Sequence, residues 1–124
     1  MAYMLMIIEP LNQRQTRTEA DGRAVYERMV RFGQDLHERG LLIASESLRS
    51  HTDATQLQVR NGRMQLVDGP YAEAKEMVGG FFLINCKTRQ QALDIAAQCP
   101  AAEWATVEVR ETAPCYVESL DTAA

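Results

Sequence analysis

The spacing of apolar residues changes period several times along the chain, and each change marks an element. Tyr3–Ile8 is continuously apolar and too short for a helix that must present a stripe, which predicts a buried central strand. From Asp21 to Arg39, Val25, Met29, Phe32 and Leu36 recur at helical spacing as one apolar stripe. Gly40 follows where a helix-terminating glycine belongs. Leu41–Leu48 predicts a second strand, interrupted by Ser45, Glu46 and Ser47. Asn61-Gly62 is a hairpin signal, because both central residues of a type I′ turn need positive φ. Folding about it pairs Val59 with Met64, Leu57 with Leu66 and, on the alternate face, Gln58 with Gln65. One face of the hairpin is therefore expected on the core and the other in water. Phe81–Cys86 predicts another buried strand. Thr88 and Gln91 make a capping box for a helix that ends before Pro100, with Ala92, Ala96 and Cys99 inward and Leu93 and Ile95 broadening the stripe. In Trp104–Glu111, Ala105, Val107 and Val109 alternate with Thr106, Glu108 and Arg110, the pattern of a half-buried strand.

The stretch Leu66–Asn85 changes character three times. Asp68-Gly69-Pro70 is a turn signal, Tyr71–Val78 is short, charged and helix-compatible, and Gly79-Gly80 resets the backbone before Phe81. The order β-α-β, hairpin, loop, β-α-β is the split βαβ arrangement of an α+β, ferredoxin-like fold with an inserted β-hairpin. It fills one domain, residues 1–124, of which 112–124 read as a C-terminal tail with a short added strand at Cys115–Val117. Two helices cover only one face of such a sheet. A second copy of the chain is the simplest cover for the other, so a homodimer is expected.

Composition narrows the functional classes. A formal net charge of −4 argues against a broad nucleic-acid-binding surface. No apolar run approaches the roughly twenty residues that a membrane helix needs, and the start MAYMLMIIEP lacks the basic segment of a signal peptide. The 3 cysteines, Cys86, Cys99 and Cys115, are odd in number and widely spaced, which suits reduced thiols in the cytoplasm better than a disulfide framework. With 2 scattered histidines and no ligand-spaced cysteines, neither a metal nor another cofactor is expected.

Candidate chemistry gathers around the DGP turn. The Asp68 carboxylate can bond backbone N–H groups of its own turn, or act as an acid, base or acceptor at a strand end. Glu73, Lys75 and Glu76 form either a solvated charged turn or a ligand-facing or interface network. Tyr71 can stack on a ligand or belong to the core. Glu46 interrupts an apolar strand and must face water, a partner or a ligand. Gly79-Gly80 lacks phosphate-loop spacing and suits a close backbone approach or a bend. His37 is placed for the dipole at a helix C-terminus, and Ser50, His51 and Asp53 imitate a triad by composition only.

At residues 66–85 the sequence resembles the YCII-related family, in particular its DGPF-domain branch, marked by a stretch like DGPFAETKEQLGGFYLIE. Asp68-Gly69-Pro70, Ala72-Glu73, Lys75-Glu76, Gly79-Gly80-Phe81 and Leu83-Ile84 match as they stand, with Tyr71 in place of Phe. The resemblance implies a dimeric α+β barrel, two ferredoxin-like subunits facing sheet to sheet. It also implies two possible roles. One is a small-organic-molecule-binding protein, in its enzymatic form a metal-free lyase or isomerase; the residues read above then supply Asp68 as the catalytic carboxylate and Glu46, Tyr71, Glu73, Lys75 and Glu76 as the lining of a cleft near the DGP turn. The other is a non-enzymatic accessory or interaction module linked to sigma factors. Lyase-type relatives use a His–Asp pair whose histidine would fall near Met29, where this chain has none.

Overall fold

The structure, a computed structural model, describes residues 1–116. Its main sheet has the order β2 (Leu42–Ser47), β5 (Glu76–Asn85), β1 (Ala2–Pro10), β6 (Thr106–Glu111), all antiparallel neighbours. With α1 (Glu19–Glu38) and α2 (Arg89–Gln98) in the connections, this is the ferredoxin-like α+β arrangement. The inserted hairpin, β3 (Thr55–Arg60) and β4 (Arg63–Asp68), forms a separate two-stranded sheet.

Strand parity sorts the core. Tyr3, Leu5, Ile7 and Glu9 of β1 point to the helices, as do Phe82 and Ile84 of β5, and all are buried. Phe32 and Leu36 of α1 and Ala92, Ile95, Ala96 and Cys99 of α2 and its cap close over them. Phe32 meets Phe82 edge-on, ring centroids 5.0 Å apart. Met4, Met6, Phe81 and Leu83 fall on the other face, which carries no helix among the described residues.

Local signals place the helix ends. Thr18 Oγ1 accepts from Asp21 N at the start of α1. At its end Gly40, φ +72°, closes a Schellman motif: Gly40 N donates to His37 O and Leu41 N to Leu36 O. For α2, Thr88 Oγ1 accepts from Gln91 N, while the Gln91 side chain accepts from Lys87 N. The capping box is thus present, with its return bond one residue earlier than the usual pattern.

The hairpin has the expected register, Leu57 opposite Leu66 and Val59 opposite Met64, turning at Asn61-Gly62, both with positive φ. Its apolar face does not reach the chain's core, however. Leu57, Val59, Met64 and Leu66 are each at least 56% exposed, because the hairpin projects as its own sheet.

Three other expectations change. Residues 71–75 hold a single turn, Ala74 N donating to Tyr71 O, and no helix; β5 begins at Glu76, so Glu76–Val78 extend the ladder against β1. Trp104 ends a 3₁₀ turn rather than starting β6. Of the added strand at Cys115–Val117, Cys115 and Tyr116 lie in a turn and Val117 falls outside the described residues.

Candidate functional site

Among the described residues a groove of about 890 Å³ runs between α1 and the β2 edge of the sheet. It exists because both walls are cut back. Gly22 and Gly33 interrupt the helix face, and β2 presents Ser45 and Ser47 where larger side chains would fill the gap. The remaining wall is apolar: Val25, Tyr26, Met29 and Val30 of α1 face Ile7, Leu42, Leu48 and Phe82. Tyr26 and Val30, which flank the apolar stripe of α1, keep 56% and 39% exposure, so an apolar edge of the helix stays uncovered.

A buried ion pair stands at one end. Glu9 continues the inward parity of β1 at 7% exposure. Arg14, in the 3₁₀ turn Arg14–Thr16, grips both its oxygens, Nε to Oε2 at 3.0 Å and Nη2 to Oε1 at 2.6 Å. Arg14 also donates to Leu48 O at 2.7 Å and Gly79 O at 3.4 Å, so one guanidinium joins the ends of β1, β2 and β5. The double glycine makes this possible. A β-bulge puts Gly79 opposite the step from Ile7 to Ile8. A Cβ on Gly79 would overlap Glu9 Oε1, and one on Gly80 would lie 2.7 Å from Glu46 O.

Arg17 lines the same end, its guanidinium 5.8 Å from the centre of the Trp104 ring. Arg28 lies over that ring at 5.3 Å and is paired with Glu103. Among the described residues Arg17 has no ion-pair partner. The other end of the groove carries Gln34, His37 and Glu38.

The residues singled out from the sequence divide among three places. Glu46 borders the groove but pairs with Phe81, so its side chain has the parity of the opposite sheet face. Tyr71 and Lys75 border a smaller cleft of about 520 Å³ with Leu11, His51 and Pro70. Asp68, Glu73 and Glu76 line neither cavity. Asp68 instead accepts from Thr55 Oγ1 at 2.8 Å across the hairpin, and Tyr71 donates its hydroxyl to Val67 O at 3.2 Å. Glu73, Lys75 and Glu76 are exposed and form no ion pair among the described residues.

The triad-like residues have separate partners: Ser50 Oγ takes Thr52 N, His51 Nδ1 takes Tyr71 N, and Asp53 meets Arg49. Burial pushes the Cys86 and Cys99 thiols up, which makes them neutral core groups. Among the described residues no helix is long and apolar enough to cross a membrane.

Glu9, Arg14, Arg17 and Trp104 were not apparent as site residues. The available signal was parity: Tyr3, Leu5, Ile7, Glu9 places a carboxylate on the buried side of a central strand, where it requires a partner.

A ferredoxin-like domain with a groove under its first helix is the class defined by this geometry. The family model of the YCII-related domain matches residues 1–115, and the chain belongs to that family. It is also 38% identical over 78 residues to an uncharacterised protein of Rhizobium meliloti (strain 1021), a match covering 61% of this chain and 63% of that relative.

Proposed function

We propose that this protein binds a small organic molecule in the groove between α1 and β2. The observation that carries the reading is the uncovered apolar edge of Tyr26 and Val30 above a cavity closed at one end by a fixed polar group, Arg14 on Glu9. Ligand sites commonly combine such apolar walls with a few placed polar groups. Met29, near which the resemblance places the catalytic histidine of lyase-type relatives, lines this groove. No histidine stands at that position, both Glu9 oxygens are taken by Arg14, and His37 and Glu38 lie at the other end of the groove, so the reading made here is of binding. Asp68 then serves to hold the hairpin root through Thr55 rather than to move a proton.

A thermal-shift screen against small metabolites tests this. A ligand at about one hundred times its Kd should stabilise the chain by roughly 2.7 kcal/mol. The double variant Tyr26→Asn/Val30→Asn, altered only at exposed positions, should fold normally and lose the shift. An unchanged shift in that variant would remove the groove from consideration.

The sheet face opposite the helices supports the expected homodimer, since Met4, Met6, Phe81 and Leu83 present apolar side chains there. Sedimentation velocity should find a dimer for the native chain and a monomer for Met6→Glu. A monomeric native chain, or a dimeric variant, would count against this arrangement.

A further inference from the structure

The groove is electrically lopsided. At the Glu9 end lie two guanidiniums, Arg14 and Arg17; of the carboxylates bordering it, Glu9 is committed to Arg14 and Glu46 has the parity of the opposite sheet face. Among the described residues Arg17 is left without an ion-pair partner, and it borders the cavity. The nearby acids of the first turn of α1 do not line the groove: Glu19 pairs with Arg23, and Asp21 is exposed. The ring of Trp104 under Arg17 restrains the guanidinium, which lowers the entropy cost of using it. The far end adds Glu38 and so carries the opposite sign. The wall of the groove also includes the apolar side chains of Val25, Met29 and Phe82.

We infer that the groove selects a monoanionic ligand, a carboxylate on an apolar body. The acid group sits at Arg17, and the body lies along Val25, Met29 and Phe82. This rests on the groove being a ligand site, as proposed above. An apolar wall alone would take neutral and acidic molecules alike. The Arg17 cation at one end distinguishes them, because a hydrogen bond to a charged partner contributes more than a neutral one.

Trp104 is the only tryptophan of the 124 residues and lies under Arg17, so its fluorescence reports on this end of the groove. The test titrates the native chain with hydrocinnamate and with its neutral isostere hydrocinnamide, by fluorescence and in parallel by calorimetry. The acid is expected to bind about tenfold tighter than the amide or better. In Arg17→Gln, whose fold is checked by circular dichroism, the acid should fall to the affinity of the amide while the amide is unchanged. Equal binding of acid and amide by the native chain, or a preference that survives Arg17→Gln, overturns the anion selectivity and leaves the ligand groove standing. Failure of both compounds and of their longer-chain homologues overturns the groove reading as well.

Discussion

Replacing Arg14 by methionine is expected to lower stability by about 2–3 kcal/mol, just below the roughly 3–5 kcal/mol for breaking a fully buried ion pair. Glu9 is the reason: its side chain is only 9% exposed, and the substitution leaves it without a partner. The cost is moderated because the Arg14 side chain is itself 34% exposed, so water already reaches part of the pair. Thermal denaturation should show a Tm loss of roughly 10 °C. The diagnostic measurement is the double variant Glu9→Leu/Arg14→Met. Removing both charges together deletes the penalty of the orphaned carboxylate, so most of the lost stability should return. If the double variant is as unstable as Arg14→Met, the loss comes from the Leu48 and Gly79 hydrogen bonds instead.

The largest single loss should follow Leu36→Ala, at about 3–4 kcal/mol. Leu36 is fully buried and docks the last turns of α1 beneath the sheet's helix side, next to Phe32 and the core. Its carbonyl also accepts Leu41 N in the turn that leads to β2. The methyl groups removed leave a cavity that a close-packed interior fills only partly. Urea unfolding with an unchanged slope should give this value as a lowered midpoint. A loss under about 1 kcal/mol would mean that α1 is held by other contacts and that Leu36 is not its main anchor.

The parts of this fold that were legible in advance are those whose cause is local. Asn61-Gly62 determines the hairpin register because few other residues tolerate the φ values of the turn. Gly40 and Thr88 place helix ends through bonds formed within a few residues. Features that depend on distant contacts were harder to read. The charged stretch after Tyr71 has a helix-compatible composition, yet Glu76–Val78 enter β5 because β1 offers a ladder through Pro10. Leu57, Val59, Met64 and Leu66 have the alternation of a core-facing strand, but no periodicity reveals whether a second layer lies beneath. The motif around Asp68 drew attention to the DGP turn. The larger cavity instead forms where Gly33, Ser45 and Ser47 leave side-chain volume missing, and absent volume in three separate elements leaves no contiguous pattern. Gly79-Gly80 connects the two accounts: its close backbone approach was expected, and what approaches is the Glu9 carboxylate and the β2 backbone.

The short connection after β1 also reaches both ends of the segment that carries the projecting hairpin. Arg14 holds Leu48 O, just before the segment that leads into β3, and Leu11 N donates to Lys75 O, just after the segment that leaves β4. Leu11 and Arg14 thus tether the segment before β3 and the segment after β4 to the one connection that follows β1. The hairpin base is closed separately, by Thr55 on Asp68 and Gly69 N on Ala54 O, so the hairpin and the basic end of the groove share a connection without sharing a contact.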